Sequence, residues 1–220
     1  MERLTIIVPY YNRPEALSRL QKHLDTLSPE FFDIIISEVP TESSGKFNTA
    51  KAFNQGVEGA KTEWVMKNDV DCIPEKPELY QWVHASIQNM DTRNFMILGA
   101  KYLDQNGNLS KFHQCGNEVV CSKTAWEKVG RVPEWEGYGF EDYLFEYQLM
   151  NNLQPESVKL SDCQTPREMT NKFRDEYLKP ENEKHEHWFL HHWHKPVFVR
   201  EMVMKNHQKF FDEIRRIERG

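Results

Sequence analysis

Residues 66–74 read MKNDVDCIP. Two aspartates, Asp69 and Asp71, stand one residue apart just beyond the apolar run Glu63–Lys67 (EWVMK). Such residues serve either as turn formers that close a strand or as ligands that hold a cation against a charged substrate. In an extended chain, positions two apart share a face, so both carboxylates would project from the carboxyl end of a strand, where open α/β sheets bind ligands. Their side chains start about 7 Å apart, whereas a divalent cation sits about 2 Å from each ligand oxygen. One carboxylate would therefore hold an ion directly, and the other would take a water or a hydroxyl. The spacing alone does not decide between turn and ligand, because Asp-x-Asp recurs by chance.

The surrounding periodicities set the fold class. Leu4–Val8 (LTIIV) is a short β-branched run ended by Pro9, and NRPEALSRLQKHLDTL then places apolar residues at Ala16, Leu17, Leu20, Leu24 and Leu27 behind an early proline. This predicts strand, loop and amphipathic helix. Phe32–Ser37 (FDIIIS) is a second strand, Phe47–Ala60 has helical spacing through Ala50, Phe53 and Val57, and EWVMK is a third strand. Strand alternating with helix predicts a single α/β domain, a mostly parallel central sheet with helices on both faces. Farther along, ELYQWVHASIQNM reads as a helix, NFMILGAKYLD and NEVVCSK as strands about a QNGN turn, and two more helices begin near Thr124 and end near Met150. Pro155–Lys184 shows no period and reads as a loop able to move. The carboxyl-terminal helix carries Phe210, Phe211, Ile214 and Ile217 on one side and is expected to dock on the core instead of lying on a membrane.

Composition narrows the class. With 220 residues, 39% of them hydrophobic and 12% aromatic, the chain fills one full-sized domain. A mean hydropathy of −0.75 implies a polar surface. Neither a membrane span nor a secretion signal is legible, so a cytoplasmic location is expected. Four cysteines without a CxxC pair predict reduced thiols, with a Cys115–Cys121 bridge as the alternative. A net charge of −6 argues against a broad basic face for nucleic acid. Between Arg131 and Lys159 there is no basic residue, yet Glu134, Glu136, Glu141, Asp142, Glu146 and Glu156 fall there. That run is either a solvated acidic face or a region that attracts cations.

Four segments in order, VPYYNRPEAL, GKFNTAKAFNQG, MKNDVDCIP and WEGYGFEDYLFEYQL, resemble the GT-A glycosyltransferases, and among them the β-1,4-galactosyltransferase family. That family carries a PFRNR-type loop, an FNRAK-type helix start, a DVDLIP-type metal strand and a WGWGGEDDD-type acceptor loop. The resemblance covers about two thirds of the chain and implies a nucleotide-sugar-binding part at 1–130 and an acceptor-binding, metal-completing part at 131–220 of one domain. It implies donor contacts from Pro9, Asn12, Arg13, Phe47, Asn48 and Asp69, and a metal ligand in Asp71. Tyr11 and Thr49 stand where the family has arginines, and Tyr143 where it has a third acid. In the acceptor loop Tyr138 and Gly139 would face the sugars, since an aromatic ring stacks on a sugar's axial C–H groups. Asp142, with Glu141 beside it, would be the general base toward the acceptor hydroxyl; the plainer reading is that both acids favour a helix's first turn.

Five histidines lie in KHEHWFLHHWHKP, and His191 and His194 have the spacing of the family's Met-x-x-His ligand pair. On a helical turn, residues three apart reach one ion. Together with Asp71 they would hold Mn²⁺, with Mg²⁺ or Co²⁺ as alternatives; a structural zinc site and plain packing are the rival readings. The implied reaction is an inverting, metal-dependent transfer from a UDP-sugar of the galactose, N-acetylgalactosamine or glucose type to a hydroxyl of a saccharide or other glycan. A nucleotidyltransferase, a transferase acting on hydroxylated bases in DNA and a noncatalytic sugar-nucleotide binding module are the competing readings.

Overall fold

The computed structural model describes residues 1–38, 48–135, 139–153, 158–178, 188–192 and 200–219, with the backbone alone at 111–117 and 200–202. Strand β1 (Leu4–Tyr10) runs parallel to both its neighbours, β2 (Phe32–Glu38) and β3 (Trp64–Lys67). A strand covered on both faces must be apolar on both, and LTIIV meets that demand. Its one polar side chain, Thr5, shares a 2.6 Å hydrogen bond with the Thr62 hydroxyl. Leu4, Ile6 and Val8 pack on one side with α1 (Pro14–Leu24) and α3 (Leu79–Ile87). Ile7 and Val65 pack on the other with α2 (Thr49–Gly59), α4 (Lys123–Val129) and α5 (Glu141–Leu153), so helices cover both faces as expected.

The seven strands lie in the order β2-β1-β3-β6-β5-β7-β4, with β4 at Cys72–Pro74, β5 at Phe95–Leu103, β6 at Leu109–Ser122 and β7 at Phe189–His191. The parallel pairing expected from the alternation holds among the first three strands, and β5 and β7 are also parallel. The remaining ladders, β3–β6, β5–β6 and β4–β7, are antiparallel. The chain leaves β1 toward β2 on one side and returns through α2 to β3 on the other. That reversal opens a crevice beyond the carboxyl ends of β1 and β3, the place where such sheets bind ligands.

Two expectations are corrected. Residues 155–184 are not a loop throughout: α6 (Pro166–Lys172) and a π-helical turn (Phe173–Tyr177) lie inside them. Thr165 caps α6 by accepting from the Glu168 amide at 3.2 Å, Pro166 opens it, and the Glu168 carboxylate accepts from the Gln164 amide at 2.8 Å. The helix is too short to show a period; its core contacts are Met169 and, in the turn after it, Phe173, buried with Phe210, Phe211 and Ile214 of α7 (Arg200–Arg219). That packing seats α7 on the domain, and no described helix is long and apolar enough to cross a membrane. The second correction is that Asp69 and Asp71 do not sit on an extended strand: Val70 and Asp71 form a turn closed by Cys72 N–H donating to Asp69 O at 2.9 Å. Cys72, Cys121 and Cys163 are buried and free, and the side chain of Cys115 lies outside the described residues.

Helix α2 approaches β1 so closely that a methyl group on Gly56 would overlap the branched side chain of Ile7. Alanine favours a helix by about 1 kcal/mol over glycine, but overpacking a rigid core costs about 1–3 kcal/mol. Gly56→Ala should therefore lower the thermal midpoint by a few degrees, measured by circular dichroism, and Gly56→Val by more.

Candidate active site

The crevice is furnished by the loop after β1 and the turn after β3. Pro9 lies where β1 has outrun β3, whose pairing ends at Ile7 opposite Lys67. Asn12 takes a positive φ of 45°, a conformation asparagine tolerates better than most residues, and it turns the chain toward Arg13 at the start of α1. The Arg13 guanidinium forms an ion pair with Asp71 Oδ2. The two carboxylates of the turn diverge: Asp69 Oδ1 meets Lys67 Nζ at 2.8 Å, whereas Asp71 Oδ1 lies 3.6 Å from His191 Nε2.

Asn68 holds this turn in place. Its amide nitrogen donates to Asp69 O and to Cys72 O, both at 2.9 Å, and its oxygen accepts from the buried Tyr80 hydroxyl at 2.7 Å. His191 arrives through strand pairing, not through a helical turn as expected: β7 sets it opposite Cys72, and His192 N–H donates to Asp71 O at 2.9 Å. Its ring stacks on Tyr102 with centroids 4.2 Å apart. His194, Phe47 and Tyr138, the other residues expected at the site, lie outside the described residues.

The Asp71–His191 pair fits a metal ion. Two ligands about 2.1 Å from one ion, some 110–120° apart at it, are separated by roughly 3.4–3.6 Å, the spacing found here. Cys72 Sγ completes a group whose ligand atoms all lie within 4.8 Å of one another. Burial, and after it the carboxylates of Glu118, Asp71 and Asp69, push the Cys72 thiol well above its ordinary range in the metal-free protein. A carboxylate and an imidazole, with the thiol beside them, are donors that accept divalent transition ions such as Mn²⁺ or Zn²⁺.

Behind the turn lies a second, more buried group of charges. A cavity of about 20 Å³, room for one water, is lined by Lys67, Glu141, Asp142 and Glu146 among apolar neighbours. Gly139 at φ 107° and Phe140 at φ 70° bend the chain into α5, and Phe140 is braced by stacking on His207 at 4.2 Å. Glu141 and Asp142 then occupy the first helical turn, where acids are favoured; Asp142 Oδ1 also accepts from Tyr143 N–H at 2.9 Å. Helix position and a chemical role are thus compatible. Tyr143 packs edge-on to Phe140.

The sequence reading did not single out Lys67, Asn68 or Glu118, and named Glu146 only within the acidic run. Charges closing or interrupting buried apolar runs, Lys67 after WVM and Glu118 before VVC, are the signal that could have found two of them. Burial first and Asp69 second push Glu118 up to about 8, and burial with Asp142 does the same to Glu141. Glu146 is raised well above its ordinary range by burial and then by Asp142. Neither oxygen of Glu118 or Glu146 has an N–H or O–H partner among the described residues. Burial opposes the Lys67 charge, yet Asp69 and then Asp142 outweigh it and keep the ammonium protonated. Asn48, expected near the nucleotide, caps α2 by accepting from Lys51 N–H at 2.9 Å and donates to Trp135 O at 3.2 Å.

Parallel strands feeding a switch-point crevice, an Asp-x-Asp turn at its mouth and an antiparallel extension behind it define the GT-A glycosyltransferase fold. The chain is similar in structure to the catalytic domain of Drosophila β1,4-galactosyltransferase 7 in complex with xylobiose, with a TM-score of 0.54 and 16% identity over 72% of this chain and 67% of that one. A mutant of the same Drosophila enzyme in complex with manganese, UDP-Gal and xylobiose gives 0.53 and 17%, again over 72% of this chain and 67% of that one. S. aureus TarS 1–349 gives 0.54 and 16% over 68% of this chain and 56% of that one, so this chain spans little more than half of it. The same TarS fragment in complex with UDP-GlcNAc gives 0.53. No protein-family model matches the chain, and no curated protein is detectably similar to it in sequence.

The raised carboxyls have a consequence for stability. A buried acid at about 8 keeps its proton in the folded state while the unfolded chain has released it above about 4.5, so folding loses stability as pH rises between those values. Glu118→Gln, which stays neutral, should melt close to the wild type near pH 5 in EDTA. It should gain an increasing advantage up to pH 8, seen as a widening difference in melting temperature.

Proposed function

We propose that the protein is a metal-dependent, inverting glycosyltransferase that moves a hexose from a UDP-sugar to a hydroxyl of a saccharide acceptor. The observation that carries this reading is the 3.6 Å approach of Asp71 and His191 at the mouth of the switch-point crevice, with Asp142 lining the cavity behind it. The similar structures are complexes, galactosyltransferase 7 with manganese, UDP-Gal and xylobiose and TarS with UDP-GlcNAc, which supports the same classes of ligand here.

In this reading Asp71 and His191 hold Mn²⁺, with His194 as a third ligand and Mg²⁺ as a substitute. The ion supplies charge stabilisation for the departing diphosphate. Arg13, beside Asp71, presents a guanidinium suited to a phosphate oxygen, and Asn12 and Pro9 shape the loop that carries it. Asp69 orients the donor sugar or ribose, with Asn48 and Phe47 on the nucleotide side. Tyr138 and Gly139 form the acceptor platform. Asp142 takes the proton from the acceptor hydroxyl as its oxygen attacks the anomeric carbon, opposite the leaving UDP, which inverts that carbon. Glu141, held neutral by its surroundings, can donate a hydrogen bond to an acceptor hydroxyl.

Incubation with Mn²⁺ and UDP-galactose, UDP-glucose or UDP-N-acetylgalactosamine, with and without a saccharide acceptor, tests the reading. Release of UDP and an inverted anomer by NMR is the expected result; release of pyrophosphate would mean nucleotidyl transfer, and UDP binding without turnover a binding module. Asp142→Asn should cut transfer by roughly 10²-fold or more, the usual worth of a general base, while changing UDP affinity only a few fold by calorimetry. His191→Ala should raise the Mn²⁺ concentration for half-maximal binding by at least about tenfold, read from the paramagnetic signal of free Mn²⁺.

A further inference from the structure

Lys67 has no part in the chemistry described so far, yet it is a lysine at the end of a buried strand. The three residues before it, Trp64, Val65 and Met66, are core, and Lys67 itself is 8% exposed. Taking an ammonium out of water is costly unless anions neutralise it, and its position supplies them from two directions. Toward the donor side its nitrogen meets Asp69 Oδ1 at 2.8 Å. Toward the acceptor side it lines the same cavity as Glu141, Asp142 and Glu146.

The charged groups around Asp142 are Lys67 from β3, Asp69 from the turn, and Glu141 and Glu146 from α5, with Glu118 of β6 near Lys67 and Glu146. Apart from Lys67 all are acids. With the lysine removed, Asp142 would face only acids in a buried setting, and such a carboxyl keeps its proton and cannot accept another. We propose that Lys67 is the positioning residue that ties the two halves of the site together, its ammonium holding the Asp142 carboxylate as a base while anchoring Asp69 on the donor side. This deepens the transferase reading and rests on it for the role of Asp142. In accord with the geometry, burial raises the Asp142 carboxyl and Lys67 is the foremost influence drawing it back.

The test uses the full chain with Lys67→Met and Lys67→Arg. In metal-free protein, the Asp142 side-chain carboxyl is followed by carbon-13 NMR against pH, its signal assigned by its loss in Asp142→Asn. The midpoint should rise by at least about one pH unit in Lys67→Met and stay near the wild type in Lys67→Arg. With UDP-sugar and Mn²⁺, the acid limb of kcat should move up by the same amount, with transfer recovering toward high pH and with a smaller change in KM. An unmoved Asp142 midpoint in folded Lys67→Met overturns the proposal, as does a loss of kcat that is the same at every pH. If Lys67→Met fails to fold, Lys67→Gln, which is uncharged yet can still donate a hydrogen bond to Asp69, is read the same way. A shifted midpoint in a protein that turns over no UDP-sugar would uphold the electrostatic link and overturn the transferase reading alone.

Discussion

The pairing of a three-residue strand holds the candidate site together. Phe189–His191 fits between β5 and β4, and its register places His191 opposite Cys72, next to the aspartate it approaches. Because side chains alternate along a strand, a slip of one residue would turn His191 to the opposite face. Phe189 guards against that slip: it is fully buried and packs edge-on to Tyr80, whose hydroxyl in turn holds Asn68. The carboxylate turn and the imidazole strand are thus braced by the same small piece of core.

The second constraint is electrostatic. Five carboxyl groups, Asp69, Glu118, Glu141, Asp142 and Glu146, are gathered around one buried ammonium, more negative charge than a single lysine can offset. The interior accommodates the excess by keeping acids protonated, which costs stability that packing must offset. A fold under pressure only to be stable would fill these positions with apolar side chains. Perturbed acids gathered at a sheet's ligand-binding crevice are what marks this place as the candidate functional site.

Likeness of fold and likeness of sequence separate in this protein. Structures with 16–17% identity superpose over about 70% of the chain, although no curated sequence matches. The fold survives such divergence because its demands are generic: apolar residues on both faces of β1, helices at 3.6-residue spacing, turn formers at strand ends. The candidate site has diverged as well. Where the family resemblance places arginines, this chain has Tyr11 and Thr49, and where it places a thioether, His191.

The alternation of strand and helix, the doubly covered β1 and the position of the aspartates at the end of β3 were legible because each is written in local periodicity or strand-end chemistry. The capping run Thr165-Pro166-x-Glu168 was equally local, yet its helix was too short for its apolar period to stand out. Asp69 and Asp71 lie at a turn, and that turn sends the two carboxylates to different partners. By itself the sequence determined an α/β sheet with acids at its functional edge, and the family that edge resembles. Only the tertiary structure decided that Asp71 meets His191 and that Lys67 stands between Asp69 and the cavity of Asp142. Those meetings join residues far apart in the chain through strand register and layer packing, which no local period encodes.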